Sequence, residues 1–201
     1  MAYAEIESPL VLTPDWNGAL LTPEEFDAVE ECDEDHVYEL VNGVLIVTPP
    51  PLEGERMPND ELGYLLRLYR DHHPHGKALD ETAYEQTVPT GRNRRRADRV
   101  IWCGLGRKPD PEKDAPAIVI EYVSKGRRNR RRDFIEKKKE YVGAGVKEYW
   151  IIDRFRRQMT VFRGDGNELV VSEKDKYTTA LLPGFELDFA KLLAVADQYG
   201  N

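Results

Sequence analysis

Two cysteines, Cys32 and Cys103, are all that a chain of 201 residues contains. That is too few for a disulfide scaffold or for a zinc site built on the usual cysteine ligands. No run approaches the eighteen apolar residues of a membrane span, and the opening stretch MAYAEIESPL has neither a basic region nor an apolar signal core. The cytoplasm is therefore the expected compartment. Internal repeats and low-complexity linkers are absent from the sequence. So are a helix-turn-helix pattern that would read DNA and an aromatic-rich platform for single strands.

What is there suits one domain with a real core, since 40% of the residues are apolar. The net charge of −8 argues by itself against a nucleic-acid partner, but the charges are unevenly spread. Nine of the fifteen residues 125–139 are Lys or Arg, and a smaller basic knot, RNRRR, occupies residues 92–96. Acids gather in the first third, as in EEFDAVEECDEDH. Such asymmetry allows a local positive face on an acidic protein, although a charge run is also what any solvated helix can carry.

Thr22, Pro23 and Glu25 form a capping box with proline at the first helical position, so a helix starts there. Asn42-Gly43 between YELV and VLIV predicts an antiparallel hairpin. TPPPLEGERMP reads as a loop, because successive prolines cannot continue a ladder. Leu62, Leu65, Leu66 and Tyr69 then recur at helical spacing, giving an amphipathic helix over about residues 59–72. AYEQTVP, ADRVIWC, APAIVIEYVS and VKEYWIID read as strands, and RRDFIEKKKEYVGAG as a helix ending near Gly143 or Gly145. QMTVFRG and ELVVSEK suit a hairpin turning at residues 164–166, and DFAKLLAVA a closing helix. This order predicts an α/β (α+β) fold, a mixed sheet flanked by helices.

Three carboxylates interrupt these strands: Glu39, Asp98 and Glu121. Glu121 is the sharpest case, because AIVIEYVS is otherwise a buried run and an unpaired buried charge costs several kcal/mol or more. Alternation puts Glu121 on a face with Val119 and Val123, and Asp98 on a face with Val100 and Trp102. If the two strands pair, their acids converge, and two carboxylates with a backbone carbonyl offer the hard oxygens that Mg²⁺ prefers. A nearby arginine would account for Glu121 as well, and water for Asp98.

YELVNG, ADRVIW, PAIVIEYVS, RRDFIEKKKEYVGAGVKEYWIID and LLPGFELDF, in that order, resemble the Uma-type restriction endonuclease family of the PD-(D/E)XK nuclease superfamily. The resemblance runs from about residue 20 to 192. Its most specific part is the series E-x-x-S, D-x-x-x-K-x-x-x-Y and G-V-x-E-Y-W-x-x-D from Glu121 to Asp153. It implies a restriction-endonuclease-like core over residues 20–195, after an N-terminal extension of residues 1–19, that hydrolyses DNA phosphodiesters with Mg²⁺ or Mn²⁺. By motif, Asp98, Glu121 and the Tyr122 carbonyl would hold the metal, with Glu39 as a helper acid. The superfamily lysine two residues after the second acid is replaced by Val123, and the family pattern offers Lys137 as a migrated catalytic lysine that would position or activate water and support phosphate charge. On a wheel of 3.6 residues per turn, Phe134, Ile135, Tyr141 and Val142 define the buried stripe. Lys138 then falls near its centre and Lys137 at its edge.

Ala97 and Lys125 stand where the family has prolines, and PPPLEGERMPND lacks the histidine that the family carries there. Lys125, Arg127, Arg128, Arg130, Arg131 and Arg132 are the expected contacts to the nucleic-acid backbone. A symmetric homodimer is a reasonable expectation for an enzyme that cuts both strands. The alternative of another class is a catalytically silent nucleic-acid- or partner-binding domain on the same fold, kept open by Val123.

Overall fold

The computed structural model describes residues 11–199. The first ten residues of the expected N-terminal extension lie outside them.

Short elements come first: β1 (Val11–Leu12), α1 (Pro23–Asp27) and β2 (Glu31–Cys32), with β1 and β2 paired in parallel. The capping box at Thr22 is present, its hydroxyl accepting from the Glu25 N–H while the Glu25 carboxylate accepts from the Thr22 N–H. β3 (Val37–Val41) and β4 (Val44–Thr48) form the expected hairpin. Asn42 and Gly43 both take left-handed backbone, φ 52° and 79°, which matches the twist of the strands they join.

The next helix departs from expectation. α2 runs Glu53–His72, so the stretch read as a loop from its prolines supplies the first turns of a 20-residue helix. Pro58 sits inside it and forfeits one backbone bond, and the polar face of Glu53, Glu55 and Arg56 hides the start from a periodicity reading.

β5 (Leu79–Thr90) and β6 (Asn93–Cys103) form a long hairpin, followed by β7 (Ile118–Tyr122), whose five residues are all buried. A continuous helical segment follows: α3 (Arg127–Arg131), a π-helical turn (Arg132–Lys137) and α4 (Lys138–Gly143). β8 (Glu148–Asp153), β9 (Gln158–Arg163), β10 (Glu168–Ser172), β11 (Lys176–Thr178), β12 (Glu186–Asp188) and α5 (Phe189–Asp197) complete the chain.

The main sheet has the order β10-β9-β8-β7-β6-β3-β4, with β5 along β6. It is mixed: β7 and β8 are parallel, and the other pairs are antiparallel. Alternation along β7 sorts the two faces. Ile118, Ile120 and Tyr122 join Leu62, Leu66 and Leu192 under α2 and α5. Val119 and Val123 join Tyr141, Tyr149 and Phe162 under the π turn and α4. Removing Leu66, fully buried, would cost about 2–5 kcal/mol through lost transfer energy and the cavity left behind.

One contact fixes α2 against the sheet beside the acids. A Cβ on Gly63 would meet the Arg99 guanidinium at 2.6 Å, so only glycine permits the approach. Arg99 in turn donates to the Asn59 side chain at 2.6 Å and its carbonyl at 2.8 Å. Among the described residues, no helix is long and apolar enough to cross a membrane.

Candidate active site

β6 and β7 pair with Arg99 opposite Ile120. One step further along both strands, Asp98 faces Glu121, so the two acids do converge. β3 joins β6 where Leu40 meets Arg94, bringing Glu39 to the same place. Asp98, Glu121 and Glu39 all line one cleft of about 410 Å³, together with Glu55, Ser124 and Arg132. Asp98 sits half-buried at its wall, while Glu121 and Glu39 are buried. The Tyr122 N–H donates to Asp98 Oδ2 at 2.5 Å, which locks the two strands together at the cleft.

Lys137 lies at the bottom of this arrangement. Its ammonium donates to Glu121 Oε1 at 2.8 Å and the Arg96 carbonyl at 3.1 Å, and it pairs with Glu39 Oε1 at 3.1 Å. These are three acceptors for three N–H groups, and the residue is 2% exposed. Tyr141 donates its hydroxyl to the same Glu121 oxygen at 2.8 Å. Val123 is packed in the core beneath.

The wheel that favoured Lys138 fails because the helix is not regular there. The π turn holds more residues per turn, and the buried positions become Asp133, Lys137 and Tyr141, spaced by four. Ile135, expected in the stripe, is 60% exposed, and Lys138 instead places its ammonium over the Phe162 ring at 3.7 Å.

Burial and the neighbouring Glu121 charge push the Asp98 carboxyl well above the usual range. Burial also raises Glu121, opposed by Lys137. Burial acts on Glu39 in the same direction, but Lys137, Arg95 and Arg132 together outweigh it and hold that carboxyl below its ordinary value. Lys137, paired with two acids despite its burial, is raised and stays an ammonium. Arg132 lines the cleft with Arg96 and Lys125, its charge favoured by Asp133, Glu39 and Glu121 against the cost of burial.

Two acids escaped sequence reasoning. Glu55, 5% exposed on the first turn of α2, lines the cleft, and its carboxyl is raised by burial. An acid in a helix's first turn is a recognisable signal, lost here because the prolines pointed to a loop. Glu85 lies opposite Asp98 in the β5–β6 hairpin with a left-handed φ of 45°. No pattern in the sequence announces it.

Among the described residues, no three carboxylate, imidazole or thiol side chains cluster as a cage for a metal ion. Asp98, Glu121 and the Tyr122 carbonyl could still supply part of a hard-oxygen shell with water completing it, and acids whose charge is disfavoured by each other and by burial suit a divalent cation.

Of the basic segment, Lys125, Asn129 and Arg132 line the cleft, and Arg127 and Arg131 are exposed. The Arg128 side chain lies outside the described residues. Arg130 is turned inward, bonded to Asp153 and stacked at 4.8 Å over Phe134. In the smaller knot, Arg94 binds Asp27, and Arg95 binds Glu140 and Glu39. Those two guanidiniums are bound by the protein's own acids.

Residues 23–195 match the family Uma2, described as "Putative restriction endonuclease". No curated protein matches the chain. Among solved structures, the chain is similar to one titled as a putative nuclease belonging to DUF820 from Anabaena variabilis ATCC 29413. That likeness has a TM-score of 0.67 at 15% identity and covers 88% of this chain and 99% of the other, which is a likeness of fold. With a family match over most of its length, this chain belongs to the family Uma2, described as "Putative restriction endonuclease".

Proposed function

We propose that the protein is a metal-dependent endonuclease that hydrolyses phosphodiester bonds in DNA. The observation that carries this reading is the convergence of Asp98 and Glu121 on one cleft, with Glu121 held from below by Lys137. A Mg²⁺ or Mn²⁺ ion bound there would polarise a phosphate oxygen and make a bound water more acidic. Asp98, Glu121 and the Tyr122 carbonyl are the groups that would hold it.

Lys137 takes a different part from a lysine that touches substrate. Its three N–H groups are matched by acceptors within the protein, and its raised pKa keeps its proton in place. It acts as a positioning residue that keeps Glu121 ionised and oriented, with Glu39 sharing its charge. Arg132, on the cleft wall, is the group to meet phosphate charge. Lys125, Arg127 and Arg131 extend that positive edge along the path a nucleic-acid backbone would follow.

Purified protein is expected to nick supercoiled plasmid with Mg²⁺ or Mn²⁺ and not with EDTA. Asp98→Asn and Glu121→Gln, which keep the side chains' shapes, should lose the activity while remaining folded. Metal-dependent cleavage surviving in both purified variants would overturn the reading.

A further inference from the structure

Beside the acid-lined cleft lies a second lobe of about 390 Å³ that shares Pro51, Glu55, Glu85 and Asp98 with it. Its walls are chemically different. Tyr84, Met57 and Pro51 give apolar surfaces, Asn59 and Asp60 add polar ones, and Arg56 is its single cationic lining residue. Successive residues of a strand normally point to opposite faces, so Tyr84 and Glu85 should not both reach one cavity. The left-handed φ of 45° at Glu85 breaks that alternation. A non-glycine residue held in that region is strained, and such strain gathers at binding and active sites. The outcome is a tyrosine 69% exposed at the wall of a cavity, opposite Arg99 and next to Glu85, which lies across from Asp98.

We propose that this lobe receives an unpaired nucleobase next to the scissile phosphate, with the Tyr84 ring as its stacking platform. The inference rests on the nuclease reading, in which the phosphate lies at Asp98 and Glu121. Because Asp98 borders both lobes, a nucleotide whose phosphate occupies the cleft has its base beside the second lobe. With Glu55, Asp60, Glu85 and Asp98 against one arginine, the lobe repels phosphate and suits a neutral ring instead. Carboxylates there can accept from exocyclic amino groups, which favours cytosine and adenine over thymine. A base stacked within an intact duplex cannot enter, so the substrate is single-stranded DNA.

The test is equilibrium binding in EDTA, where turnover is absent, using an oligonucleotide that carries one 2-aminopurine, offered as single strand and as duplex. Single-strand binding by the parent protein should quench the 2-aminopurine emission. Tyr84→Ala should lose the quenching and bind the single strand roughly 5- to 150-fold more weakly, with duplex affinity unchanged. Tyr84→Phe should behave as the parent. Tyr84→Ala binding the single strand as tightly as the parent overturns the inference, as does a parent that binds duplex only. A parent that binds neither strand state sinks the DNA reading itself, and this inference with it.

Discussion

Glu121 and Glu148 occupy neighbouring parallel strands and are 3% and 6% exposed, yet their surroundings differ in kind. Glu148 accepts from the Trp150 indole and the hydroxyls of Tyr177 and Thr179, each at 2.9 Å. Both of its oxygens are met by neutral donors and the Arg163 guanidinium stands 3.6 Å from one of them, so that β8, β9 and β11 are tied together there. Glu121 has Lys137 and Tyr141 on a single oxygen and stands across from another acid in an open cleft. Position along the strands separates them: Glu148 aligns with Ile118 at the start of β7, and Glu121 with Ile151 towards its carboxyl end. Ligands of open α/β sheets gather at carboxyl ends, where loops and helix starts leave room. A buried acid with donors on both oxygens and an arginine beside it is architecture; one held on one side and crowded by like charge on the other is placed for a cation.

The largest way to break this comparison is Lys137→Ala. It strips the counter-charge from two buried acids, and removing one partner of a buried pair costs about 3–5 kcal/mol. Denaturant unfolding should show that loss even in EDTA. A cost below about 1 kcal/mol would mean that Lys137 does not hold Glu121. Next in size is Glu148→Gln, which sets an amide against three donors and should cost about 1–3 kcal/mol. Its affinity for Mn²⁺, read by calorimetry, should stay that of the parent, whereas Glu121→Gln loses it. Equal loss in both variants would erase the distinction between the two acids.

Much of this arrangement is legible in the sequence, for identifiable reasons. Glu39, Asp98 and Glu121 stand out because a carboxylate inside an apolar period-two run has few structural explanations, and the Asn42-Gly43 turn admits one geometry. The helical side of the site was less readable. The π turn shifts the phase of its segment, so a wheel of 3.6 residues per turn buries Ile135 and Lys138 where the fold buries Asp133 and Lys137. Glu55 was hidden by prolines that proved compatible with a helix's first turns. Glu85 depends on a backbone conformation that no side-chain pattern encodes. Which arginines face outward is equally invisible, since each finds or misses an acid only in the tertiary arrangement.

A smaller effect carries a sign that tests the electrostatics. The folded-state pKa of Asp98 is raised above its unfolded value, so the native state binds more protons. Stability attributable to this residue then falls as pH rises from the ordinary carboxylate range through the folded value. Asp98→Asn removes that charge. In EDTA near neutral pH it should be the more stable protein, by on the order of 1 kcal/mol, or about 2–4 °C in Tm. The gain should vanish below the ordinary carboxylate range, where the parent's Asp98 is neutral too. Added Mn²⁺ should narrow the gap at neutral pH by stabilising the parent alone. A variant less stable than the parent at every pH would show that Asp98 is held by the bond from the Tyr122 N–H more than it is opposed by Glu121.

The smallest effect on stability comes from Arg131, and there the expected readout moves from folding to salt. Arg131 is exposed, while its neighbour Arg130 is bound to the buried Asp153 and lies over Phe134. Arg131→Ala should therefore leave stability within about 0.5 kcal/mol of the parent, as surface substitutions do. If its guanidinium meets a phosphate, the slope of log binding constant against log salt should become shallower by about one for duplex DNA. Arg130→Ala should do the reverse: it leaves the Asp153 carboxylate short of its partner and lowers stability, with the salt slope unchanged. Two adjacent arginines of one basic run would then be told apart by which measurement each one moves. Should both change the salt slope alike, the inward bond of Arg130 yields to DNA and the positive edge is broader than the fold by itself makes it.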